Sequence, residues 1–86
     1  MVVAFVLIKT EPARIDEVVK ALVEMEIVEE MHSLAGEYDL IVKVRVEDFD
    51  RLARTVVDRI QRLPHLRETR TLIAFDAYNV PKPRGA

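Results

Sequence analysis

The chain has 86 residues but no cysteine, no tryptophan and only two glycines. Without cysteine there is no disulfide framework and no thiol nucleophile. A zinc site would need carboxylates beside the two histidines, His32 and His65, an uncommon ligand set. No metal and no cofactor is therefore expected. Long apolar runs are also missing. The run Val2–Ile8 is far short of the roughly 20 residues of a membrane helix. It lacks the basic start and the small-residue cleavage site of a signal peptide. A cytoplasmic protein with no membrane partner is expected. An excess of basic charge is absent too. Lys and Arg number 13 against 15 Asp and Glu, for a net charge of −2. That balance speaks against a phosphate-binding surface for nucleic acid.

Half of the residues are hydrophobic and a third are charged, which suits one soluble domain. A domain of this size buries only roughly 60% of the surface its unfolded chain exposes. Association is the usual remedy.

Val2–Lys9 is rich in β-branched residues and reads as a strand covered on both faces. Thr10, Glu11 and Pro12 form a helix start signal. Ile15, Val18, Val19, Leu22 and Val23 then recur at helical spacing, which predicts a helix from about Pro12 to Met25. Ile27–Leu34 predicts the second strand, Ala35–Asp39 a hairpin turn, and Leu40–Val46 a third strand with clean alternation. Asp48 is a good N-cap for a helix carrying Phe49, Leu52, Ala53, Val56, Val57, Ile60 and Leu63, stopped by Pro64. Arg67–Tyr78 predicts the last strand. Residues 1–78 form the domain, and residues 79–86 an extended or disordered tail.

The order strand, helix, strand, strand, helix, strand is the α+β, ferredoxin-like β-α-β-β-α-β arrangement. It has a four-stranded antiparallel sheet with two helices on one face. An even hairpin loop centred on Glu37-Tyr38 would pair Ser33 with Val42 and set Glu30 opposite Arg45. The helix side would then carry Ile27, Met31, Leu40, Val42, Val44 and Val46. The other face would carry Glu30, His32, Leu34, Ile41, Lys43 and Arg45. Leu34 and Ile41 would join outward residues of the first and last strands in an apolar patch. Monomers seldom expose patches beyond roughly 300–600 Å². A face-to-face dimer, a dimeric α+β barrel, is expected.

The hairpin turn is the segment best suited to chemistry. Gly36 permits backbone conformations closed to other residues and close approach of a ligand. Outward turn N–H groups hold carboxylates, and Asp39 offers acceptors for an ammonium. The turn would then grip both ends of an α-amino acid. The alternative is that Gly36 only shapes the turn and Asp39 bonds the turn's own backbone. Elsewhere, Arg51, Arg54, Arg59 and Arg62 alternate with Asp50 and Asp58 as a solvated helix face. His65 follows Pro64 as an exposed loop residue. His32 has no committed catalytic partner. Met25 and Met31 are packing residues.

The stretch Leu34-Ala35-Gly36-Glu37-Tyr38-Asp39-Leu40-Ile41-Val42-Lys43-Val44 resembles the hairpin of Lrp/AsnC-family transcription regulators, whose Gly-x-Tyr-Asp-type turn precedes an apolar strand. Glu68–Phe75 resembles that family's final strand, and Leu63-Pro64 its helix end. The resemblance covers residues 2 to 78. It implies an effector and oligomerisation (RAM) domain that dimerises through its sheets, assembles further, and binds amino acids between dimers. Gly36, Glu37, Tyr38 and Asp39 would line the site in one subunit, and Thr69 and Thr71 would approach from the neighbouring dimer. A strand beginning at Val2 leaves no room here for a helix-turn-helix, so a stand-alone form without direct DNA binding is expected. Leu40 stands where the family often has an aromatic residue, and His65 where it often has glycine. The expected function is amino-acid binding and oligomerisation in transcription regulation, with no catalytic residue. A full-length regulator of the same family, joined in mixed assembly, is the expected protein partner. A small dimeric α+β barrel enzyme, with His32, Lys43 and Glu30 inside the dimer, is the competing expectation.

Overall fold

The computed structural model describes residues 1–76, 78, 80 and 81. Its elements are β1 (Val2–Thr10), α1 (Ile15–Val23), β2 (Val28–Ser33), β3 (Leu40–Val46), α2 (Phe49–Arg54) and β4 (Leu66–Ala74). A π-helical turn, Thr55–Ile60, continues α2. The antiparallel sheet has the order β2-β3-β1-β4, as the ferredoxin-like arrangement requires. The expected tail at 79–86 lies mostly outside the described residues, and the last strand ends at Ala74 rather than Tyr78. Among the described residues no helix is long and apolar enough to cross a membrane.

Strand alternation divides the sheet into two unlike faces. On β1, Ala4, Val6 and Ile8 are fully buried under the helices, while Val3, Phe5, Leu7 and Lys9 are half-buried on the open face. Leu40, Val42, Val44 and Val46 of β3 join the buried side, with Val18 and Leu22 of α1 and Leu52, Val56 and Ile60 of the second helix. Phe5 pairs with Leu72 and Leu7 with Ile41, so these apolar side chains share the open face.

The first helix is shorter than its apolar spacing predicts. Glu11-Pro12-Ala13-Arg14 form a turn closed by Arg14 N–H donating to the Glu11 carbonyl at 3.2 Å, with Ala13 at φ 64°. Proline followed by a residue at positive φ is the pattern of a type II turn, which helix geometry cannot continue. Glu26, at φ 60°, ends the helical run on the other side. Val23, expected on the buried stripe, is exposed.

The hairpin register is displaced by two residues from the expected pairing. Ser33 faces Leu40 and Met31 faces Val42, so the loop centres on Gly36-Glu37. From Glu30 to Ser33 the two-residue shift leaves each side chain on its expected face. It does change the charge pairs. Glu30 faces Lys43, not Arg45, and the register breaks between Val28 and Glu30. That irregularity turns Glu29 toward both Arg45 and Lys43, the latter at 3.5 Å. Hydrogen bonding and the charge of Arg45, helped by Lys43, hold the Glu29 carboxyl below its ordinary range.

Asp48 caps α2 as its sequence position suggests, its Oδ1 accepting from Arg51 N–H at 2.8 Å. The helix then widens, which the apolar pattern did not announce. Gln61 N–H donates to the Val56 carbonyl at 2.9 Å, a five-residue closure. Leu52, Val56 and Ile60 recur every four positions, a spacing that drifts about 40° per step on a 3.6-residue helix. A wider turn removes part of that drift, and all three reach the core. The cap is testable on its own. Asp48→Ala should lower stability in urea unfolding by about 1 kcal/mol, and Asp48→Asn by less. An alanine variant as stable as wild type would show that the cap contributes nothing.

Candidate functional site

The hairpin loop is closed by Leu34 N–H donating to the Asp39 carbonyl at 2.8 Å. Gly36 sits at φ 152°, and a Cβ built there would meet nothing within 4 Å. Glycine is thus required by backbone conformation and not by packing, and the space above it is open.

Asp39 anchors the loop to the end of β1. Its N–H donates to the Ile8 carbonyl at 2.9 Å. Its Oδ2 accepts from Thr10 N–H at 2.8 Å and from Thr10 Oγ1 at 3.2 Å. The structural one of the two sequence-based alternatives is therefore modified. Asp39 does serve structure, but it bonds β1 and not the turn's own backbone. Thr10, read from sequence as the first residue of a helix start signal, is the strand residue that donates to this carboxylate.

A cleft of about 360 Å³ opens where these pieces meet. Lys9, Thr10, Glu37, Asp39 and Arg67 line it, with the Glu11–Ala13 turn along one side. Its charged groups are of both signs, and its size falls within the range of small-molecule sites.

The turn beside the cleft is itself fixed. Glu11 N–H donates to the His65 carbonyl at 2.8 Å. His65 Nε2 lies 2.9 Å from Glu17, and Nδ1 lies 3.6 Å from Glu11. The histidine expected to be an exposed loop residue is instead half-buried, at φ 70°, between two carboxylates. Arg14, donating to Glu17 at 2.7 Å, holds that carboxyl below its ordinary range by hydrogen bonding and charge, with His65 adding to the effect.

Tyr38 takes a different position from its neighbours in the turn. Its side chain is 8% exposed, and among the described residues its hydroxyl has no partner within hydrogen-bond geometry. The Lys9 ammonium lies 5.8 Å from the ring centroid. Burial pushes the phenol above its ordinary range, reinforced by nearby Glu68 and Glu37 and opposed by Arg70. Lys9, Glu68 and Arg70 occupy open-face positions of β1 and β4, which places Tyr38 toward the open face, and neither it nor Gly36 lines the cleft.

Thr69 and Thr71 are not brought to the turn within one chain. They alternate with Glu68, Arg70 and Leu72 and so lie on the helix side of β4. Thr69 Oγ1 accepts from Gln61 Nε2 at 3.4 Å. Thr71 lines an apolar groove with Phe49, Leu52, Ala53, Val56 and Ile73. The residues that sequence reasoning omitted from the site are Lys9, Thr10 and Arg67. Their signal was the sheet order, since β1 and β3 are adjacent only once that order is known. The residues of the competing enzyme reading are neighbours on the open face, Glu30 standing opposite Lys43 and beside His32. Glu30 lies 3.4 Å from His32, both exposed, while Lys43 is paired with Glu29.

Comparison with known proteins gives these positions a context. A family model described as the Lrp/AsnC ligand binding domain matches residues 3–83. An uncharacterised HTH-type transcriptional regulator of Pyrococcus abyssi is 32% identical over 76 residues, covering 85% of this chain and 51% of that protein. The chain thus spans about half the length of the curated relatives it matches. A crystal structure of a Thermus thermophilus protein superposes with a TM-score of 0.86 at 38% identity, covering 93% of this chain and 100% of that one. A transcriptional regulator from Neisseria meningitidis, solved as an L-Met complex, shares the fold at a TM-score of 0.84 and 14% identity, covering 98% of this chain and 57% of that one.

The buried Tyr38 phenol offers a direct check on this geometry. The chain has two tyrosines, so a Tyr78→Phe variant leaves Tyr38 as the only phenol to titrate. Its ultraviolet titration should show a midpoint above the ordinary value of about 10. Because the folded-state value is raised, the stabilising contribution is present below the unfolded value for a group that gains a proton-bound form on folding, and here the neutral phenol is that form. Unfolding should therefore become easier as pH rises from the unfolded value through the folded one. A midpoint at or below the ordinary value would contradict the burial described.

Proposed function

The chain belongs to the Lrp/AsnC ligand-binding domain family, and from that premise we propose that it binds an amino acid in the hairpin cleft and serves transcription regulation through assembly. Family and relatives are transcriptional regulators rather than enzymes, in keeping with the expectation of a binding module.

The observation that carries the proposal is the charge pattern of the cleft. Asp39 and Glu37 face the same space as Lys9 and Arg67. An α-amino acid presents an ammonium and a carboxylate on one carbon, and a site of mixed sign complements both. Both hydrogen bonds from Thr10 fall on Oδ2 of Asp39. Among the described residues Oδ1 accepts none and is the proposed ammonium acceptor. Gly36, with open space above it, allows ligand atoms close to the main chain. The L-Met complex of the Neisseria meningitidis regulator supports an amino acid as the ligand class.

A second copy of the chain would cover the open sheet face, and further dimers would bring Thr69 and Thr71 of one pair toward the turn of another. That arrangement would join the proposed site residues of the turn to those on the helix side of β4. Ligand then shifts assembly only through different affinity for the separate and assembled states. A full-length regulator of the same family is the proposed protein partner, through mixed assembly.

Calorimetric titration with each standard amino acid tests the proposal. At least one should bind saturably. Asp39→Asn keeps the shape and removes the charge, and should weaken binding by about tenfold or more, the scale of a charged hydrogen bond. Thr10→Val, which removes only the anchoring hydroxyl, should weaken it less. Absence of binding by every amino acid, or an unchanged affinity in Asp39→Asn, would overturn the assignment.

A further inference from the structure

The arginines of the second helix take no part in the hairpin cleft. Arg51, Arg54 and Arg59 surround a hollow of about 480 Å³ on the outer side of the helical layer, together with Thr55 and Asp58. A second hollow of about 270 Å³ shares Arg51, Thr55 and Arg59 with it and extends to Arg45 and Glu47.

The helix itself assembles this group. On a regular α-helix, positions five apart stand about 140° from each other, which would splay Arg54 from Arg59. Thr55–Ile60 is a π-helical turn instead. Five-residue closure stacks such positions nearly one above the other. Arg59 is thereby carried onto the side occupied by Arg54 and Arg51.

Their charges are not spent on the protein. Asp50 precedes Arg54 by four residues and Asp58 follows it by four, spacings that commonly form ion pairs on helices. Among the described residues none of the three arginines forms an ion pair, whereas Arg45 is held by Glu29. Asp58 is the one carboxylate in the lining of the first hollow, and Glu47 the one in the second.

The geometry points to a binding site for a compact phosphate-bearing anion, an oligophosphate or phosphate ester, on the π-helical turn. The forked guanidinium matches phosphate oxygens two at a time, and the hollow is of small-molecule size. A net charge of −2 repels a long polyanion such as a nucleic-acid duplex, while the local cluster attracts a small one. The site lies on the helical layer, so a second copy on the open sheet face leaves it accessible. It is separate from the hairpin cleft and stands or falls independently of amino-acid binding there.

Calorimetric titration of the whole chain with sodium tripolyphosphate at low salt is the test. Saturable binding at one site per chain is expected. The Arg54→Ala/Arg59→Ala double variant should lose at least about tenfold in affinity, with an unchanged melting curve. Lys20→Ala removes a charge from the exposed side of α1 and should change affinity less than about twofold. Absence of saturable binding, equal weakening by Lys20→Ala, or tighter binding of a short DNA duplex at the same salt would each overturn the site.

Discussion

The constraint on which the rest of the molecule depends is that two helices cover only one side of a four-stranded sheet. β1 shows the result most plainly. Its even-numbered positions from Ala4 to Ile8 are fully buried, and the odd-numbered ones between Val3 and Lys9 are only half-covered. Phe5, Leu7, Ile41 and Leu72 meet across adjacent strands on that second side. Fully burying a large apolar side chain is worth roughly 1.5–3 kcal/mol. Several such side chains on one face outweigh the cross-strand charge pairs of Glu29 with Arg45 and Lys43, which remain partly exposed.

The same topology positions the proposed ligand site. With β1 and β3 adjacent at the centre of the sheet, the loop entering β3 meets the end of β1. Asp39 therefore reaches Thr10 across a sequence separation of 29 residues. The Glu11–Arg14 turn leaves β1 at that point, and the His65 carbonyl holds it. A cleft bounded by three segments distant in sequence thus follows from strand order. Its opposite charges come from β1, the hairpin and the start of β4.

Much of this was legible in the residues. Alternation in Leu40–Val46 identified β3 and its buried face, the Asp48 cap located α2, and the glycine in the turn located the hairpin. What escaped depends on backbone geometry that side-chain periodicity does not encode. The irregularity at Val28–Glu30 moved the acid beside Arg45 from Glu30 to Glu29. The turn after Thr10 delayed α1, because proline suits both a helix start and a type II turn. The π-helical turn was hidden because residues spaced by four fit a regular helix and a wider one. His65 escaped for another reason, since its partners Glu11 and Glu17 become neighbours only when both connections pack together.

Sedimentation equilibrium of the wild-type chain beside a Leu72→Glu variant tests the central claim, that a second copy completes the sheet's open side. Leu72 is 48% exposed in the single chain, so the glutamate fits the fold but opposes pairing. A wild-type mass of a dimer or a multiple of one is expected at micromolar concentration, with the variant shifted toward a folded single chain. A wild-type protein that sediments as one folded copy, with Leu72→Glu indistinguishable from it, would contradict the account.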